Sequence, residues 1–182
     1  MAHPYPWLKY LPADDLEDQS VDFDGMKVES PSGEDLGKVD GFIVDADSGR
    51  PYYVVVDAGG WFKSTHFLLP VGHARLDGNG DAFLADVTKE RVERFPGFDL
   101  TKFDTMTVDD LKRLNVETLR ACTIAGVVYT YSEREPYTAA WNRAGFKHPD
   151  WWRKAPTEPG RASEIVERSS DERERSVARD KR

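Results

Sequence analysis

The stretch that most constrains this chain runs from Gly25 to Leu76. It packs four short β-type runs and their turns into little more than fifty residues. The densest run is Pro51–Asp57, PYYVVVD, followed by Phe67–Val71, FLLPV. Consecutive β-branched and aromatic residues fit a strand buried on both faces, or nearly so. The spacing predicts strands over Met26–Glu29, Asp35–Asp45, Tyr52–Asp57 and Thr65–Val71, a short one within Gly72–Leu76, and a last one over Ala82–Val87. Pro31-Ser32-Gly33-Glu34, Asp47-Ser48-Gly49, Ala58-Gly59-Gly60-Trp61 and Asp77-Gly78-Asn79-Gly80 supply the turns. Gly37 and Gly41 lie inside the second strand, where glycine marks a bulge or a tight bend. Pro70 places the fourth strand at an edge or a bulge. Six short strands at this spacing predict a small barrel or sandwich.

Helical patterns follow. Thr88 is placed to cap a short helix that Pro96-Gly97 ends, and Thr107 to cap a longer one over 108–121. The apolar positions of the longer helix, 108, 111, 114, 116 and 119, lose their spacing near Asn115. Ile124–Tyr131 reads as one more strand. Pro136 to Gly145 reads as a short helix that places Tyr137 and Trp141 on one face.

The two ends differ from this middle. Residues 1–21 form an arm in which Pro4, Pro6 and Pro12 favour extended backbone, interleaved with Tyr5, Trp7, Leu8, Tyr10 and Leu11. Such aromatics either cover an open edge of the chain's own barrel or dock on a partner. The expected organisation is an arm (1–21), a barrel domain (22–100), a helix-and-strand extension (101–132), an aromatic C-terminal arm (133–156) and a tail (157–182). The tail carries seven acidic and seven basic residues in alternation, the pattern of a solvated segment or of one that folds on a partner.

Composition narrows the function classes. The formal charge of -8 lies entirely in residues 1–156 and disfavours a general nucleic-acid binder, which needs a basic excess. Cys122, the single cysteine, leaves no internal disulfide and no thiolate zinc site, and its apolar neighbours predict a buried structural thiol. No apolar run reaches the ~20 residues of a membrane span. The N-terminus lacks the layout of a signal peptide, so the expected location is cytoplasmic. Hydrolase, metalloprotease, P-loop and dinucleotide motifs are absent from the sequence. His66 and His73, seven apart across a turn, read as surface or turn residues. Asp45–Gly49 and Asp77–Asp81 depart from the calcium-loop pattern and are better explained as hairpin turns. These readings predict a non-catalytic protein with no cofactor and no metal.

Gly25–Val28 (G-M-x-V), Gly33–Val39 (G-E-x-x-G-x-V), Val44–Val56 (V-D-x-x-S-G-x-P-x-Y-x-V-V), Leu68–Gly72 (L-L-P-V-G) and Thr88–Val92 (T-K-E-x-V) together closely resemble the PRC-barrel family, over about residues 22–100. The resemblance implies a mainly β fold, a small six-stranded barrel with short helices, used as a docking module rather than as an enzyme. Phe103–Asp110 and Ile124–Tyr129 further resemble the final strands of the cytoplasmic part of the photosynthetic reaction-centre H subunit. That branch implies an accessory subunit seated on the cytoplasmic face of a membrane-embedded complex, with no membrane span of its own here and a peripheral location. In H subunits, acids of the first strand-to-strand loop lie near a proton route to a quinone. Glu34 matches such an acid and Asp35 follows it, but Ser32 stands where the pattern has another. The residues expected to dock a partner are Trp7, Tyr10, Trp61, Trp141, Trp151 and Trp152. The alternatives are a stand-alone, self-associating PRC-barrel protein and, third, a ribosome- or RNA-associated factor.

Overall fold

A computed structural model describes residues 8–16, 21–46, 49–122 and 149–152. The expected strand at 124–131, the helix at 136–145, the tail, Trp7 and Trp141 lie outside them. The described residues form β1 (Leu8–Pro12), β2 (Lys27–Glu29), β3 (Asp35–Asp45), β4 (Pro51–Asp57), β5 (His66–Pro70), β6 (Ala74–Leu76), β7 (Ala82–Ala85), α1 (Lys89–Val92) and α2 (Val108–Cys122), with short 3-10 turns between some of them.

All seven strands belong to one sheet, ordered β5-β4-β3-β2-β7-β6, with β1 pairing on β3 beside β2. The six expected strands form as β2 to β7, and β1 adds a seventh. The eleven-residue β3 is long enough to pair β2 along its first part and β1, from Gly41 to Asp45, along the rest. Leu8–Pro12 of the predicted arm is therefore part of the sheet. The sheet has not closed by hydrogen bonding, since no ladder joins β5 to β6 among the described residues. Instead β5, the edge strand that Pro70 ends, passes into β6 through a 3-10 turn at Val71–His73.

Side-chain alternation divides the strands between two cores. Val54 and Val56 of β4, Phe67 and Leu69 of β5, and Phe42 and Val44 of β3 enter one, with Phe23, Phe83 and Phe95. Tyr53 and Val55 of β4, Leu68 of β5 and Ile43 of β3 enter the other, under Phe98, Phe103, Leu111 and Leu114. This is why PYYVVVD is apolar throughout: β4 is covered on both faces.

The glycines of β3 sit where its register shifts. Gly37 adjoins the shift against β2, and Gly41 follows Asp40, the extra residue of a bulge against β4. At Gly37 (φ 135°) a Cβ would stand 2.1 Å from the carbonyl oxygen of Asp57. At Gly41 it would stand 2.6 Å from the Tyr10 ring. Only hydrogen fits at either place.

Both expected caps form. Thr88 Oγ1 accepts the Arg91 N–H at 3.3 Å. Thr107 Oγ1 accepts the Asp110 N–H at 3.2 Å, while the Asp110 carboxylate accepts the Thr107 N–H at 3.0 Å, a reciprocal capping box. Helix α2 runs unbroken through Asn115, which is buried and accepts the Tyr53 hydroxyl on its side-chain oxygen. A polar side chain on the packed face had interrupted the apolar spacing without interrupting the helix. Residues 103–110, expected to resemble final strands, instead complete a 3-10 turn (Leu100–Thr105) and open α2. The Asp99 and Thr107 caps dictate helical starts there. Among the described residues no helix is long and apolar enough to cross a membrane.

Candidate functional site

Two of the residues singled out from sequence, Asp35 and Trp61, meet at one cleft of about 290 Å³. Asp35 begins β3 and Asp57 ends β4, so the antiparallel pairing brings both ends to one rim of the sheet. Gly37, lacking a side chain, lets the two backbones close there. Trp61 hangs from the β4–β5 loop, and Lys89 of α1 sets its ammonium 4.4 Å from the indole centroid, a cation–π contact. Lys38 completes the polar lining. Two carboxylates and two ammonium groups thus surround a half-buried aromatic ring.

The carboxylates are held by the backbone. Asp35 accepts the Gly37 N–H at 3.0 Å and Asp57 accepts the Gly59 N–H at 2.9 Å, each through Oδ1. The indole N–H of Trp61 is shielded from solvent and has no acceptor among the described residues. A donor buried in that condition costs about 1–3 kcal/mol.

The other predicted residues are placed differently. Glu34 is exposed in the β2–β3 turn, where its N–H donates to Ser30 Oγ (3.1 Å) and its carbonyl accepts from the Ser30 N–H (2.9 Å); it is not part of the cleft lining. Tyr10 is half-buried, its ring against Gly41 and its hydroxyl donating to Asp40 Oδ2 at 2.7 Å. Burial, then the Asp40 carboxylate, push the Tyr10 phenol well above its ordinary value. Trp151 and Trp152 are only 6% and 5% exposed and fill the chain's own core. Their ring area is used within the molecule, with Phe23, Phe42 and Phe83.

Two histidine–carboxylate contacts carry no local sequence signal. His66 Nε2 lies 3.5 Å from Asp40 Oδ2, which joins Tyr10, Asp40 and His66 across the sheet. His73 Nδ1 lies 2.6 Å from Asp86 Oδ1. Each pair is far apart in sequence and depends on strand register, which local spacing does not reveal. Cys122 is buried, as expected, and burial raises its thiol far above the ordinary range. Among the described residues no group of three or more His, Cys, Asp or Glu side chains is arranged to hold a metal ion. The Asp77 carboxylate is occupied by the N–H groups of Asp81 (2.8 Å) and Ala82 (3.4 Å), as hairpin chemistry requires.

The profile of the PRC-barrel domain matches residues 17–92, a span that holds β2 to β7 and α1. An uncharacterized protein of Deinococcus radiodurans is 39% identical over 62 residues, which are 34% of this chain and 22% of that protein. The match therefore spans about a fifth of the relative's length. Residues 17–92 thus carry a PRC-barrel domain, and the mainly β sheet they form is consistent with it.

Proposed function

We propose that the chain is a non-catalytic docking module that joins a larger protein assembly through the cleft around Trp61. The observation that carries this reading is the half-buried ring of Trp61, set in an open cleft and flanked by Lys89, Lys38, Asp35 and Asp57. Tryptophan is enriched at interface hot spots, with charged groups at their rim. A partner group can pack on the part of the ring left exposed, and charges of both signs fix the register of whatever binds. PRC barrels are small interaction domains, which supports the reading for residues 17–92.

A narrower reading, a cap on the cytoplasmic face of a photosynthetic reaction centre, rests on the sequence resemblance and on the aromatic arms expected to dock a partner. One of its motivations was an aromatic C-terminal arm free to wrap a partner, and Trp151 and Trp152 of that arm are spent in the core. The self-contained docking module is the better supported of the two.

The test is in-cell photo-crosslinking with a benzophenone amino acid at Gly60, in the cleft loop, against the same group at Asn79 in the β6–β7 turn. A discrete partner band from position 60, lost on Trp61→Ala, supports the reading. Equal labelling from both positions contradicts it.

A further inference from the structure

The β6–β7 hairpin builds a depression of about 370 Å³ that shares no lining residue with the Trp61 cleft. Its register pairs Ala74 with Ala85 and Arg75 with Leu84. The pairing runs one step further, where the Asp86 N–H donates to the His73 carbonyl at 3.0 Å. Ala74 and Ala85 enter the core. Alternation therefore turns His73, Arg75, Leu84 and Asp86 to the opposite face, and all four line the depression. Its volume falls in the range of small-ligand pockets, about 300–1,000 Å³.

The four side chains divide the work. The His73 side chain is 12% exposed, and its Nδ1 lies 2.6 Å from Asp86 Oδ1. An ionised carboxylate only accepts, so Nδ1 carries the proton and Nε2 is left to receive one. Arg75 is exposed, and its guanidinium has no partner among the described residues. Leu84 is half-buried and supplies an apolar wall. A free guanidinium fork binds two oxygens of a phosphate at once. The second ionisation of a phosphate monoester lies near pH 6, in the range where imidazole titrates, so one proton can bridge a phosphate oxygen and Nε2 across neutral pH. A sulfate ester has the same shape and no proton to share. The other charged or titratable groups near the pair are Cys122 of α2 and Arg91 of α1, whose guanidinium donates to the Cys122 carbonyl at 3.3 Å. Burial, then Asp86, keep that thiol protonated, and arginine does not titrate, which leaves the imidazole and the phosphate to exchange protons near neutral pH.

We propose that this face of the β6–β7 hairpin is a binding site for a small phosphate monoester, its phosphate held by Arg75 and His73 and its organic group resting on Leu84. Asp86 is a positioning residue: it fixes the imidazole tautomer and touches no ligand atom. The site does not depend on the docking reading above.

The test titrates the full chain with phenyl phosphate, phenyl sulfate and inorganic phosphate, following backbone amide chemical shifts. Phenyl phosphate is expected to bind 1:1 and to move the amides of residues 72–75 and 84–86. Arg75→Ala should weaken it about tenfold or more, the loss of a charge-assisted contact. His73→Gln should weaken it too and remove the pH dependence of binding. Phenyl sulfate should fall behind phenyl phosphate as pH rises to about 8, because it needs a charged imidazole. Inorganic phosphate should bind more weakly than the ester, since it leaves Leu84 uncovered. Arg75 is exposed and outside the core, so its variant decides the matter even if His73→Gln lowers stability. No binding of phenyl phosphate up to about 10 mM, the weak limit of a useful site, overturns the proposal. So does binding that survives Arg75→Ala unchanged, or that shifts amides elsewhere. Equal affinity for phenyl phosphate and phenyl sulfate at the alkaline end overturns the shared proton, and equal affinity for ester and inorganic phosphate overturns the role of Leu84.

Discussion

Gly37→Ala is expected to be among the most damaging single-methyl additions this fold can receive. The added carbon would stand 2.1 Å from the Asp57 carbonyl oxygen, 2.9 Å from its carbon and 3.0 Å from the Ala58 Cα. All three are backbone atoms, so no side-chain rotation relieves the contact. The residue pairs next to the Lys38–Asp57 register position, and moving away means prising β3 from β4. The backbone itself, at φ 135°, adds strain for any L residue. Overpacking costs about 1–3 kcal/mol and backbone strain about 1–3 kcal/mol, giving roughly 2–6 kcal/mol together. Gly59→Ala is the control. It also has positive φ, 66°, but nothing lies within 4 Å of its Cβ position, so strain alone remains, about 1–2 kcal/mol. Urea unfolding of the two variants beside wild type separates the contributions. The expected order of midpoints is wild type, then Gly59→Ala, then Gly37→Ala well below. A Gly37→Ala midpoint at or above that of Gly59→Ala would refute the clash and with it the close approach of β3 to β4 at the cleft.

Four further outcomes follow from particular residues. The folded Tyr10 phenol is raised by burial and by Asp40, so its contribution to stability is complete below the unfolded value near 10 and declines as pH rises beyond it. Tyr10→Phe should flatten that alkaline loss in pH-dependent melts. Asp77, Asp99 and Asp110 are held below the ordinary carboxylate range, first by hydrogen bonds from the Asp81 backbone, the Thr101 hydroxyl and the Thr107 hydroxyl respectively. Their contribution is present above the unfolded value near 4 and is lost as pH falls through the folded values, so Asp110→Asn should reduce the acid sensitivity of the melt below about pH 4. Thr107→Ala, which removes the α2 cap, should cost about 1 kcal/mol by urea titration. Cys122 should resist iodoacetamide in the folded chain and react in urea, because its thiol is buried and its ionisation suppressed.

Much of the barrel was legible because its signals are local. The limits of β3 follow from the alternation of Leu36 to Val44 and from turn residues at both ends, and the structure places the strand at Asp35–Asp45 as expected. The Gly37 and Gly41 bulges were readable because a lone glycine in a strand has few other uses. What escaped depends on distant partners. Leu8–Pro12 was readable as extended, but only the length of β3 left an edge for it to pair. Trp151 and Trp152 lie in a segment without periodicity, and nothing near them in sequence names Phe42, Phe83 or the carbonyls of Gly49 and Ala74. In the cleft, Asp35 and Trp61 were each noticed, as a loop acid and as a turn aromatic. Their meeting, and the addition of Lys38, Asp57 and Lys89, required the β3–β4 register and the position of α1.

The central claim, that the chain docks on a protein through the Trp61 cleft, is tested most directly by native co-purification of the wild-type and Trp61→Ala chains, followed by mass spectrometry. The account predicts a defined partner retained at near-stoichiometric yield by wild type and lost from Trp61→Ala, with the melting behaviour of the chain preserved. The same partner recovered equally with both chains would contradict it.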